Sequence, residues 1–149
     1  MLTAFAAAPR KAAFFSASEL ETVRMLVDLI LPETDSPSAS AADTHYFLDL
    51  ALPACASPAA QRTFRHGLKS FARLESMSPS KRIAALAARA DADQALEYDE
   101  SFFKILKDYT LTGYFLSETG ATRALAYERV PGGFQGDLPL APGQKAWAT

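Results

Sequence analysis

The chain has one cysteine, Cys55, and two histidines, His45 and His66, in 149 residues. A single thiol excludes an intramolecular disulfide and a zinc site built on several thiolates. It also excludes covalent c-type haem, which needs two cysteines ahead of a histidine. Net charge is −2 and no basic patch stands out, so no nucleic-acid partner is expected. No apolar run approaches the ~18 residues of a membrane span. No alternating strand, hairpin or internal repeat occurs. A core is still within reach without staples, because a domain of ~150 residues buries roughly 70% of the surface its unfolded chain exposes.

What is present is helical. The stretch Ser101–Gly120 is apolar on most of its circumference, as expected of a central, buried helix. Its charges share one stripe, Lys104, Lys107 and Asp108. One turn further on, that stripe carries Leu111 and Phe115 instead. The solvated face thus ends halfway along, and either the chain's own tail or another protein must cover these two side chains. Gly113 lies inside, where it costs ~1 kcal/mol against alanine and marks a close approach to the backbone.

Overlapping capping boxes, Ser16…Glu19 and Ser18…Glu21, predict a helix start, with Leu20, Val23, Leu26, Val27 and Ile30 inward until Pro32. A bend comes next, Leu31–Pro37, with two prolines and two carboxylates. Asp43 or Thr44 caps a second helix, with Phe47, Leu48, Leu50 and Ala51 inward and an end before Pro53. Ser57-Pro58 and Ser78-Pro79 are start signals for two more. The first of these places Phe64, Leu68, Phe71 and Leu74 inward, with Gly67 as a tolerated weak point. The second has a narrow stripe, Ile83, Leu86, Ala87 and Ala90, and is expected at the periphery. Residues Asp91–Glu100 read as a solvated acidic connection, and Ala121–Glu128 as one helical turn or a short strand. Residues 127–149 are dense in glycine and proline, with Tyr127, Phe134 and Trp147 among them, and predict an extended tail lying on a surface. The expected fold is all-α, a small irregular bundle of about five helices over residues 16–126. Residues 1–15 precede it as an Ala-rich terminus or the remnant of an export signal, for which Ala4-Phe5-Ala6 fits the small-x-small cleavage pattern.

Chemistry is sparse. Asp43, His45 and Asp49 lack a matching pair at helical metal-ligand spacing. Cys55 has no adjacent base. The acidic run from Asp91 has Ala95 and Leu96 where a calcium loop needs Asp or Asn and then Gly. Gly132-Gly133-x-x-Gly136 lacks the dinucleotide spacing. Glu33 and Asp35 have no histidine partner and read as turn formers rather than an acid/base pair. No catalytic, metal or cofactor-binding residue is therefore expected in this chain.

Three stretches, Ile30–Pro37, Leu111–Glu118 and Tyr127…Pro131-Gly132-Gly133-Phe134-Gln135-Gly136, occur in an order and spacing that resembles the gluconate 2-dehydrogenase subunit 3 family. The resemblance spans about Ser16–Leu140. It implies the small subunit of a periplasmic dehydrogenase whose large subunit, an FAD flavoprotein of the glucose–methanol–choline type, oxidises sugars, sugar acids or polyols. A multihaem cytochrome c often takes the electrons. Small subunits of this family commonly carry a twin-arginine export signal and are thought to escort the folded flavoprotein across the membrane. Asp137 stands where many members, on this resemblance, carry cysteine, so any disulfide from that position is absent. The helix stripe and the motifs together give the expected partner-binding residues: Glu33, Thr34, Asp35, Ser36, Leu111, Tyr114, Phe115, Glu118, Tyr127 and Phe134. The alternative is a stand-alone helical enzyme or ligand-binding protein.

Overall fold

The structure, a computed structural model, describes residues 14–126, 132, 137, 139 and 141–146. It is all-α. Among the described residues five α-helices occur in order: α1 (Ala17–Ile30), α2 (Thr44–Cys55), α3 (Pro58–Lys69), α4 (Pro79–Asp93) and α5 (Phe102–Leu116). Short 3₁₀ turns lie at Ser40–Ala42, Leu74–Ser76 and Tyr98–Glu100, and a π-turn at Gly120–Ala124.

Helix α5 is the centre of the bundle and packs on α1, α2, α3 and α4. Its inward face, Phe102, Ile105, Leu106, Thr110 and Tyr114, is buried. Val23, Leu26 and Val27 of α1 and Leu48 and Leu52 of α2 complete the aliphatic core. Each such aliphatic side chain contributes roughly 1.5–3 kcal/mol on burial. An aromatic row runs through α3: Phe15 to Phe64 at 5.7 Å, Phe64 to Phe102 at 5.0 Å, and Phe102 to Phe71 at 5.5 Å between centroids.

The starts of α1, α3 and α5 are set by side-chain caps. Ser16 accepts from the Glu19 N–H at 3.3 Å while the Glu19 carboxylate accepts from the Ser16 N–H at 2.9 Å. That backbone hydrogen bond holds the Glu19 carboxyl below its ordinary range. Ser57 accepts from Ala60 N–H at 3.1 Å, and Ser101 from Lys104 N–H at 3.0 Å. The packed unit begins ahead of residue 16: Phe15 is buried, and Asp49 on α2 accepts from the N–H groups of Phe14 and Phe15, both at 2.8 Å. Arg65 on α3 closes the same clamp, donating to the Phe14 carbonyl at 2.7 Å with its guanidinium 4.0 Å from the Phe14 ring centroid.

Five expectations are corrected. Helix α2 runs through Pro53, because Leu52 is fully buried and its carbonyl accepts from Ala56 N–H at 3.1 Å, holding the last turn in place. Leu50 points outward and is 57% exposed: the buried stripe of α2 is Thr44, His45, Leu48, Asp49 and Leu52, and Leu50 falls on the opposite side. Gly67 is required rather than tolerated, since a Cβ there would lie 2.4 Å from the Phe102 ring. The acidic connection is not simply solvated. Asp93 is buried, ion-paired with Arg89 at 2.9 Å, and accepts from Phe103 N–H at 2.8 Å and Ser101 Oγ at 3.1 Å. A carboxylate at the start of α5 also complements the helix dipole. Asp99 likewise accepts from Ser57 Oγ at 2.6 Å, joining this connection to α3. Last, the central helix stops at Leu116 rather than Gly120.

The close approach expected at Gly113 is made from within the chain: a Cβ at Gly113 would lie 2.5 Å from the Phe47 ring of α2. Helix α4 is peripheral, with Leu86 and Asp93 its buried residues and Ile83 exposed.

Candidate partner-binding site

The bend after α1 is built by its own backbone and by Asp28. Leu31 carbonyl accepts from Ala39 N–H at 3.0 Å, closing the loop. Asp28 accepts from Ser40 N–H at 2.7 Å and from Ser40 Oγ at 2.6 Å, fixing its far side. Inside, Thr34 N–H donates to the Ser36 carbonyl at 3.1 Å and Thr34 Oγ1 to Asp35 at 3.0 Å. Glu33, Thr34 and Asp35 are exposed and Ser36 is half-buried.

The end of α5 lies against this bend. The Tyr114 hydroxyl donates to the Pro37 carbonyl at 2.7 Å. Tyr114 is only 2% exposed, so it belongs to the core and tethers the bend; its expected place on a contact surface is corrected. The side chains that do reach the surface come next. Phe115 is 39% exposed and Leu116 is 75% exposed. Leu111 is half-buried, and Thr112 and Glu118 are exposed. The polar stripe before them also differs from its sequence reading. Lys107 and Asp108 are exposed, but Lys104 is half-buried and donates to the Leu96 carbonyl at 2.5 Å.

Beyond Leu116 the chain reverses. Ser117 accepts from Gly120 N–H at 2.9 Å and donates to the Tyr114 carbonyl at 2.6 Å. The π-turn Gly120–Ala124 comes next, and Ala126 N–H donates to the Ala146 carbonyl at 2.7 Å. Lys145 donates to the Arg123 carbonyl. These contacts bring Arg123 and Lys145 to the bend. With Glu33, Thr34, Asp35, Ser36, Pro37 and Ala41 they line an open groove of about 570 Å³. Of the expected contact residues, Tyr127 and Phe134 lie outside the described residues. The first two motif stretches therefore meet in space, joined by Tyr114 and Pro37. Leu116, Arg123 and Lys145 were not among the residues singled out from sequence. Leu116 could have been found from its place beside Phe115; the two cations had no local signal.

The remaining polar candidates do not line this groove: Asp43, His45, Asp49 and Cys55 lie along or beside α2. Asp49 holds the Phe14 and Phe15 amides. Asp43 has left-handed backbone (φ 57°) and no side-chain cap bond. His45 is buried, 4.2 Å from the Tyr46 ring, and burial pushes its imidazole below the ordinary value. Cys55 ends α2 as an exposed free thiol. Among the described residues no group of three or more His, Cys, Asp or Glu is placed to hold a metal. Among them, too, no helix is long and apolar enough to cross a membrane.

The arrangement can bind: an apolar knob, Phe115 and Leu116, directly follows the tyrosine whose hydroxyl is bonded to Pro37 in the lining of a charged groove. The sequence model of the family described as gluconate 2-dehydrogenase subunit 3 matches residues 17–132, which takes in both described motif stretches and the helical bundle. Comparison with curated proteins and with solved structures finds no match. A match over most of its length means that the chain belongs to the gluconate 2-dehydrogenase subunit 3 family.

Proposed function

We propose that the chain is a non-catalytic small subunit of a periplasmic FAD-dependent dehydrogenase of the glucose–methanol–choline type, acting on a sugar, sugar acid or polyol. Its work is binding. It covers part of the flavoprotein, favours the folded, flavin-loaded form by mass action, and helps to export it. The flavin belongs to the partner, and a multihaem cytochrome c is a candidate third subunit.

The observation that carries this reading is the exposure of Phe115 and Leu116 at the end of the central helix, directly after the tyrosine that ties the two family motifs together. Full burial of such a side chain contributes roughly 1.5–3 kcal/mol; Leu116, 75% exposed, forgoes most of that, and Phe115, 39% exposed, a smaller part. A partner that covers them recovers it. The family to which the chain belongs is named for a dehydrogenase subunit, which supports a dehydrogenase as that partner.

The test is co-expression with a flavoprotein large subunit and size-exclusion chromatography monitored at the flavin absorbance. The expected result is co-elution, with a higher yield of flavin-loaded protein than when the large subunit is expressed alone. Separate elution of the two chains, or substrate turnover by the isolated small chain, would overturn the proposal.

A further inference from the structure

The charged groove has two walls of opposite sign. Glu33 and Asp35 stand on the bend, and Arg123 and Lys145 on the π-turn and the returning segment. Glu33, Asp35, Arg123 and Lys145 are all exposed. Among the described residues, neither cation forms an ion pair with either carboxylate across the gap. Lys145 is fixed by its bond to the Arg123 carbonyl, and Asp35 is steadied by the Thr34 hydroxyl. Arg123 is exposed and lines the groove, so its guanidinium donors are open to a ligand there.

A ligand with one sign of charge would gain on one wall and be repelled by the other. A segment carrying both signs meets both walls. A carboxylate suits the Arg123 fork, which takes such a group through two parallel hydrogen bonds. A basic side chain suits Glu33 and Asp35. The groove is open, and Pro37 in its lining is bonded to the hydroxyl of Tyr114, the residue that precedes Phe115; an apolar centre with a polar rim is the usual anatomy of a protein interface.

We infer that this groove seats a polypeptide segment of the large subunit that bears both an acidic and a basic side chain, the acid toward Arg123 and Lys145 and the base toward Glu33 and Asp35. This rests on the proposed role as a subunit of a flavoprotein complex. It adds Arg123 and Lys145 to the interface and fixes the chemistry of what meets them. Charges at the rim of an interface set the rate of association and its salt dependence more than the final affinity.

The test compares three variants of the full chain, Arg123→Glu, Glu33→Lys and Lys107→Glu, for association with the purified flavoprotein large subunit at low and at physiological salt. All three replace exposed side chains, and circular dichroism checks that each is folded. The expected result is that Arg123→Glu and Glu33→Lys each slow association about tenfold at low salt and flatten its salt dependence. Lys107→Glu, on the same helix as Phe115 and with the same charge change as Arg123→Glu, should associate like the wild type. If all three associate like the wild type, the groove is not an interface, while docking through Phe115 and Leu116 stands. An effect of Arg123→Glu on self-association of the chain alone would overturn the inference in favour of a second copy as occupant. No complex with the wild type would overturn the proposed function and this inference together.

Discussion

The Tyr114 hydroxyl donates to the Pro37 carbonyl at 2.7 Å across 77 positions of sequence, and it is the direct link between the end of the central helix and the bend after α1. Tyr114→Phe removes the donor and leaves the ring. A hydrogen bond of this kind contributes about 1 kcal/mol net. The variant should unfold at lower urea, with stability reduced by about 0.5–1.5 kcal/mol and an unchanged slope. Amide exchange should rise over Glu33–Ala39 and stay unchanged in α3. Unaltered protection of the bend would show that other contacts hold it.

Gly113 sets two effects against each other. Alanine gains about 1 kcal/mol of helix propensity. It also places a methyl 2.5 Å from the Phe47 ring, and overpacking of this kind costs about 1–3 kcal/mol. The contact involves the root of the ring as well as its edge, so the ring as a whole must move and the steric cost should win. Gly113→Ala should therefore be destabilised. Combining it with Phe47→Ala should relieve the clash, giving a coupling of at least about 0.5 kcal/mol in a double-mutant cycle. Additive behaviour would mean that Phe47 does not occupy that space.

His45 gives the fold a pH dependence with a defined sign. Burial lowers its folded pKa below 6.5, and Arg24 adds to this, while Asp43, Asp28 and Glu21 oppose it. The unfolded state then holds more protons in the window between the folded and unfolded values, so stability rises with pH there. It is lost as the pH falls below about 6.5, with a limiting slope of about 1.4 kcal/mol per pH unit for one proton. Thermal unfolding from about pH 7.5 to about pH 5.5 should show this limb, and His45→Gln should flatten it. An unchanged slope in the variant would assign the limb to other groups.

Much of this could be read from the residues in order. Helix starts were legible because they are local: Ser16…Glu19, Ser57-Pro58 and Ser78-Pro79 each carry their signal within four positions. The central helix was legible from its continuous apolar surface. What failed depends on contacts far along the chain. Gly67 is needed only because Phe102 lies on it. Leu50 and Leu52 compete for the inside, and the orientation of α2 against α1 and α5 decides between them. Tyr114 and Phe115 are adjacent and both aromatic, and only the position of the bend makes one core and the other surface. The charged groove draws on residues 33–37, 41, 123 and 145, and no sequence window joins them.

Coverage of Phe115 and Leu116 by the flavoprotein is the centre of the proposed function. It is tested most directly by measuring the affinity of the purified large subunit for the wild type and for Phe115→Asp and Leu116→Asp, with Lys107→Glu as a control. An unpaired charge buried in an interface costs about 3–5 kcal/mol. The prediction is a loss of affinity of roughly 100-fold or more for each aspartate variant, with helicity intact, and none for Lys107→Glu. Folded aspartate variants that bind as tightly as the wild type would contradict it.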